Sequence, residues 1–524
     1  MVVIKRKSKI RVWEPLMVGM AAAIGLLAGY NIQFDHADYS LLQYSKAMES
    51  DVIQRDGKIE EILRFVETNY VDSLDNDIVA IDAIRHILKQ LDPHSDYITP
   101  DELQGHNERM DGSYRGIGIE TIKMQDTFYI TQIVEGGPSE AAGLKIGDAI
   151  LAVDGEQVSG NDTPFHVVRN MLKDEDKDKL ELSISSVGSS SASSQIVEIA
   201  NIEIASADES YIINDDIMYL KLERFSGNTF EQFVESLDAV ASNQEKTHLI
   251  LDLRDNPGGY LPEAIKILSQ LFKEKDKLLT YTEGLNRKKA EYRTTGKAFF
   301  NIGKIAVLIN GNSASGSEIL AGAIQDWDRG VIIGEESFGK GLVQEIFPLR
   351  NGGALRLTVA KYYTPTGRLI QKSYRSINKD FVADSIEFET RLLNRTVESG
   401  NGIIPDIAIA SQNNIMCDNH LSYSDFFIIR TMRELGSVTL SPDDFSVEAY
   451  EKFLSQLHES EDDIQLEECT REYASNFIFN RYTRLMEGET AYLKALNSDD
   501  PYIEASLDFI GDKRTTLALL SKEN

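Results

Sequence analysis

Residues 305–347 read IAVLINGNSASGSEILAGAIQDWDRGVIIGEESFGKGLVQEIF. Ile305 to Ile309 are uninterrupted apolar residues, the pattern of a strand covered on both faces. Three serines alternating with Ala314 and Gly316 follow, then a helical stretch over 317–326 with Glu318 in its first turn. Strand, small-residue turn and helix in direct succession build an α/β layer. The same alternation extends outward over residues 211–410, with a strand at 248–253 and a helix at 261–272, which predicts a mostly parallel sheet.

Upstream the period changes. Phe128 to Val134 alternate as a strand, Pro138 to Ala142 suit a short helix ended by Gly143, and 149–153 read as a strand closed by Asp154-Gly155, a tight hairpin turn. A Ser-rich stretch at 188–194 separates strand-like runs at 180–185 and 196–199 and reads as a flexible hairpin loop. Residues 31–110 are polar and helical in pattern, with Ile59, Ile62, Leu63, Val66 and Tyr70 at helical spacing until Asp92-Pro93 breaks the second helix. Beyond about residue 412 helical spacing returns, with Ala474, Ile478, Tyr482 and Leu485 on one face. That stripe implies core or interface packing and no cofactor.

The 524 residues are too many for one ordinary core, and 42% hydrophobic with 26% charged residues is globular composition. A net charge of -30 excludes a nucleic-acid partner, because phosphate binding needs clustered Lys and Arg. Cys417 and Cys469 have no metal spacing, and a single bridge or two unpaired thiols both stay open. At the start of the chain, Lys5, Arg6, Lys7, Lys9 and Arg11 precede a 15-residue apolar run ending at Tyr30. This is the n-region and h-region of an export signal. The run's end lacks a pair of small residues for cleavage, so an uncleaved anchor over 1–30 is expected. The basic flank then stays in the cytoplasm and the remainder faces outward.

Ser315 sits at the strand-to-helix junction among small residues, where a hydroxyl projects freely and the helix N-terminus favours developing negative charge. Ser313 and Ser317 are its rivals, Ser317 suiting a helix cap. A serine nucleophile needs a base, and no histidine lies between His248 and His420. Lys340, in Phe338-Gly339-Lys340-Gly341, is the candidate, since a desolvated lysine becomes neutral enough to accept a proton. Gly334 to Gly341 also mimic a phosphate loop, but Gly341 stands where Ser or Thr would hold magnesium, and nucleotide binding is not expected. His94, in its Asp-Pro turn, reads as a residue hydrogen-bonded within its loop.

These elements resemble the carboxy-terminal processing (tail-specific) serine peptidases, which use a Ser–Lys dyad with a helper Gln. The resemblance spans roughly residues 55–410. It rests on the serine stretch and Phe-Gly-Lys-Gly, with Leu91-Asp92-Pro93-His94-Ser95, Leu251-Asp252-Leu253-Arg254-Asp255-Asn256-Pro257-Gly258-Gly259, Tyr363-Thr364-Pro365-Thr366-Gly367-Arg368 and Gly402-Ile403-Ile404-Pro405-Asp406 in family order. It implies Ser315 as nucleophile, Lys340 as general base 25 residues on, and Gln344 orienting the lysine. It also implies an oxyanion hole from Gly316 and one of Gly258 and Gly259, Gly258 being preferred. Residues 111–200 resemble a PDZ domain whose carboxylate-binding loop holds Gly116, Ile117, Gly118 and Ile119. The departure is Asp174 to Lys179, where family members often carry Gly-x-x-Gly.

The expected fold is multidomain α+β. An anchor at 1–30 and a helical region at 31–110 precede the PDZ domain at 111–200. An α/β peptidase core of the crotonase/Clp-like ββα kind follows at 201–411, then a helical extension at 412–524. The expected function is a serine endopeptidase of the cell envelope, anchored in the inner membrane with its catalytic part periplasmic, cutting proteins with free, apolar C-termini. No metal or cofactor is implied, and for the helical tail adaptor docking and homodimerisation stay open. The rivals are a non-catalytic envelope scaffold binding protein C-termini through the PDZ domain, and a crotonase-like acyl-CoA enzyme, which would not need a Lys at 340.

Overall fold

The computed structural model describes residues 57–511, except 175, 190, 208, 215, 242–246, 376–379, 411–420, 442–443 and 458–470. The expected anchor, Cys417 and Cys469 lie outside the described residues. Among the described residues no helix is long and apolar enough to cross a membrane. The chain divides into two compact units, residues 1–84 and 85–524. The first unit contains the helix Lys58–Asn69 and the beginning of Asn76–Lys89. The helical spacing read at 59–70 is therefore a helix, but it buries no residue, and Ile59 and Ile62 are exposed.

In the second unit, the turn at Asp92 to Ser95 runs into a short strand, Asp96–Ile98. The helix Pro100–Asp111 follows, started by a Thr99–Glu102 capping box and ended by left-handed Gly112. The next sheet runs in the order Ile119–Met124, Thr127–Ile133, Ala149–Val153, Lys179–Ser185, Ser193–Glu198. Phe128 and Ile130, Ile150 and Val153 across a register shift, and Leu182 and Ile184 close its core. Asp154 and Gly155 have φ of 50° and 80°, the left-handed pair a two-residue hairpin requires. The serine loop is shorter than expected, since its second strand already starts at Ser193.

The central sheet has the order Ser210–Asn214, Ile217–Lys221, Thr247–Asp252, Ile302–Ile309, Val331–Gly334, Ile407–Ala408. Only its first pair is antiparallel; the others are parallel. Leu249, Leu251, Ile305, Val307 and Ile309 face one side, in a cluster with Phe233, Leu268 and Leu320 of the helices Thr229–Ala241, Leu261–Leu271 and Gly316–Asp326. Tyr219, Ile250, Ala306, Leu308 and Ile333 face the other, against Tyr502, Ile503, Phe509 and Ile510 of the helix Pro501–Gly511. Cover on both faces explains why these strands read as continuous apolar runs.

A second, antiparallel sheet was not evident from the alternation. It joins Asp96–Ile98, Ala354–Tyr363, Lys275–Gly284 and Arg287–Thr295, with Leu342–Pro348 also on Ala354–Tyr363. The tail forms the helices Ser424–Leu435, Val447–Leu457 and Arg471–Glu487, and Ala474, Ile478, Tyr482 and Leu485 share one buried cluster. Ile122, Tyr129, Ile146 and Val187 of the 119–198 sheet domain pack against that cluster. Arg433 adds two hydrogen bonds of 3.0 Å, to the carbonyls of Gly147 and Ser185.

Candidate active site

The strand Ile302–Ile309 delivers the chain to Ser315, which immediately precedes the helix Gly316–Asp326 and has φ of 54°. A serine held in left-handed backbone is a strained junction residue of the kind found at functional turns. The three serines now separate. Ser313 Oγ is buried and donates to the Leu253 carbonyl at 2.8 Å. Ser317 is also buried, and its hydroxyl donates to the Asn256 carbonyl at 3.0 Å rather than capping the helix. Ser315 is half-buried, and its Oγ faces the Glu318 N–H in a capping box while donating its own proton to no carbonyl among the described residues. Of the three, only the middle serine keeps its hydroxyl proton off a backbone carbonyl.

Two glycines make room for it. A Cβ on Gly258, whose φ is 94°, would lie 2.7 Å from Ser315 Cβ and 2.8 Å from the Gly316 nitrogen. A Cβ on Gly316 would meet the buried Phe225 ring at 2.9 Å. The Gly258 N–H donates to Asn256 Oδ1 at 2.9 Å. The amide of Gly258, the preferred oxyanion donor, thus already has a side-chain acceptor, whereas the N–H groups of Gly259 and Gly316 have none among the described residues.

Lys340 lies in the turn between Val331–Gly334 and Leu342–Pro348. Burial, and after it the positive charge of Arg356, lower its pKa to about 8. Its Nζ donates to Gln344 Oε1 at 2.9 Å, and Gln344 Nε2 donates to the His94 carbonyl at 2.6 Å. Gln344 stands on a strand, beside a register shift between Val343 and Gln344. The His94 ring is half-buried, and burial together with Lys340 lowers its pKa to about 4.

Glu318 ties the two halves together. Its buried carboxylate accepts from the backbone N–H of Ser315 at 2.8 Å and of Lys340 at 2.9 Å, and from Gly339 N–H at 2.7 Å and Ser337 Oγ at 2.6 Å. Burial raises its pKa, and the four donors act against that rise. Tyr362 Oη donates to the Ser315 carbonyl at 3.1 Å. The loop that mimics a phosphate site thus spends the N–H groups of Gly339 and Lys340 on a protein carboxylate. Sequence reading placed Glu318 only in a first turn and gave Arg356, Tyr362 and the His94 carbonyl no part. The position of Glu318 three residues after Ser315 was the one available signal.

At the other predicted site, Gly116, Ile117, Gly118 and Ile119 link the strands Ser113–Gly116 and Ile119–Met124. Ile117 is buried and its carbonyl accepts from Ser139 Oγ at 2.6 Å, while Gly118 takes φ of 76°. Ile119–Met124 pairs with Thr127–Ile133 alone among the described strands, so its other edge is open to an added peptide strand.

Residues 216–383 match the model of peptidase family S41 and residues 116–186 that of a PDZ domain. A carboxy-terminal-processing protease of Bartonella bacilliformis is 34% identical over 329 residues, covering 62% of this chain and 74% of the relative. The chain belongs to peptidase family S41. This S41 peptidase is a serine-type peptidase with a PDZ domain, and its fold is the multidomain α+β arrangement expected. It is also 29% identical over 353 residues to carboxy-terminal processing protease CtpB of Bacillus subtilis, covering 66% of this chain and 72% of that one. A solved photosystem II D1 C-terminal processing protease covers 66% of the S41 chain and 85% of its own, at 26% identity and a TM-score of 0.33.

Proposed function

We propose that this S41 peptidase is an endopeptidase that processes proteins at or near their C-termini, with Ser315 as nucleophile and Lys340 as general base. The observation that carries the proposal is the Glu318 carboxylate, which holds the backbones of Ser315 and Lys340 on one oxygen, Oε2. It binds the candidate nucleophile and the candidate base to one rigid group. The Ser315 hydroxyl proton, spent on no carbonyl, and the depressed pKa of Lys340 support the same roles.

Neutral Lys340 takes the Ser315 proton as Oγ bonds to the scissile carbonyl carbon, and the C–O π pair moves onto oxygen. The N–H of Gly316, with that of Gly259, faces the oxyanion in this reading. The intermediate collapses as the C–N bond breaks, and the lysine proton goes to the leaving amine. Water then gives its proton to Lys340, its oxygen breaks the acyl ester, and Ser315 recovers its proton. The PDZ loop and the open Ile119–Met124 edge receive a free, apolar C-terminus. In this reading the chain is anchored in the inner membrane and works on its outer side, which the N-terminal basic and apolar segment supports.

The test is degradation of an unfolded protein with an apolar C-terminus by the full chain, alongside Ser315→Ala and Lys340→Ala. Loss of cleavage in both variants, with tail binding retained, is the expected result. Full proteolysis by Ser315→Ala would overturn the assignment.

A further inference from the structure

We propose that Arg356 is a positioning residue for Lys340, acting through the His94 carbonyl, which accepts from both Arg356 and Gln344. Arg356 Nε donates to that oxygen at 3.2 Å and Gln344 Nε2 at 2.6 Å. The inference rests on Lys340 being the base, as proposed above.

A carboxamide has one accepting and one donating end, and a backbone carbonyl only accepts. The His94 oxygen therefore dictates which way Gln344 is turned: Nε2 towards His94 and Oε1 towards Lys340. Oε1 in turn takes one N–H of Lys340, which fixes how the amine is rotated. Everything depends on where the His94 oxygen sits, and the turn holding it is pinned from both sides. Asp92 Oδ1 accepts from His94 N–H at 2.8 Å and Ser95 N–H at 2.9 Å, and Oδ2 from Ser95 Oγ at 2.6 Å. Ser95 Oγ accepts from Thr358 N–H at 3.2 Å. Thr358 lies opposite Gln344, and Arg356 opposite both Ile346 and Asp96. Arg356 thus stands where the short strand Asp96–Ile98, the turn and the Gln344 strand converge, 3.6 Å from the Asp96 carboxylate.

The same placement sets charge. The groups acting on Lys340 are Arg356 from the strand, Glu318 from the helix, and Asp92 and His94 from the turn. Glu318 and Asp92 favour the ammonium form; Arg356 opposes it, and the His94 ring is neutral above its pKa of about 4. Removing the guanidinium leaves burial alone to oppose the two carboxylates, so the lysine pKa rises and the acid limb of kcat/KM moves to higher pH.

Arg356→Met and Arg356→Gln, assayed across pH with a peptide ending in an apolar residue, test this. The expected result is a limb displaced to higher pH, with about a tenfold loss of kcat at neutral pH and little change in KM. Arg356→Lys, which keeps the charge, returns the limb towards its parental position. Arg356→Gln carries the same test should the Met variant fail to fold. An unmoved limb with kcat intact in the neutral variants overturns the inference while leaving the Ser–Lys reading in place. Full activity in Lys340→Ala overturns that reading instead.

Discussion

At the scale of single residues, the site trades stability for chemistry. The Lys340 ammonium is disfavoured where it sits, since its pKa falls from the ordinary 10.5 to about 8. Below pH 8 the group is charged in both folded and unfolded chains, and the folded state bears the full penalty. Between 8 and 10.5 the unfolded chain binds more protons, so stability rises with pH and the penalty vanishes above that window. Lys340→Met is accordingly expected to stabilise the protein at neutral pH by roughly 2 kcal/mol, after allowing for the lost bond to Gln344. That gain shrinks as pH passes from 8 to 10.5, as denaturant titration at several pH values will read. Wild-type kcat/KM should climb through about pH 8 as the amine becomes neutral.

Gly258 belongs to the same scale. Its φ of 94° and the 2.7 Å approach of a Cβ to Ser315 leave no room for alanine. Gly258→Ala is expected to cost about 2–4 kcal/mol and at least a hundredfold in kcat/KM, because relief must come by moving the Ser315 turn. Thermal unfolding and steady-state kinetics on one preparation measure both. Normal kinetics would show that the turn yields without consequence.

At the scale of elements, the helix Pro501–Gly511 does more than cover an apolar sheet face. Asp500, just before it, pairs with Arg254 at 2.6 Å, and Arg254 also chelates Asp252. The Tyr502 ring lies 4.7 Å from that guanidinium, and its hydroxyl bonds Glu335 at 3.0 Å. One helix start therefore touches the strand ends leading to Gly258 and to Lys340. Such links were not legible in the sequence, since Arg254 and Asp500 are 246 positions apart. The strand and helix at 302–326 were legible, because their period and turn residues are local.

Over the whole molecule, the helical tail serves two domains: Ser424–Leu435 and its neighbours pack on the sheet domain carrying Gly116 to Ile119, and Pro501–Gly511 packs on the central sheet. Arg433→Ala removes two hydrogen bonds that satisfy the Gly147 and Ser185 carbonyls. The expected outcome is faster hydrogen exchange across residues 127–187 and a loss of about 1–3 kcal/mol, with exchange at Ile302–Ile309 unchanged. Unchanged exchange over 127–187 would mean that the apolar contacts alone hold the domain.

By itself the sequence determined the strand–turn–helix succession at 302–326, the layer type and, through the resemblance, Ser315, Lys340 and Gln344 as candidates, since periodicity, turn glycines and short motifs are written within a few positions. It also held Asp92-Pro93-His94-Ser95 as a turn, but not what the turn is for. Only the tertiary structure decided that Ser313 and Ser317 are spent on backbone carbonyls while the Ser315 hydroxyl donates to none. It alone brought Glu318, Arg356 and the His94 carbonyl to Lys340, and gave the Gly258 amide to Asn256. The physical reason is that a hydrogen bond or a charge acts over a few ångströms of space, whatever the separation along the chain.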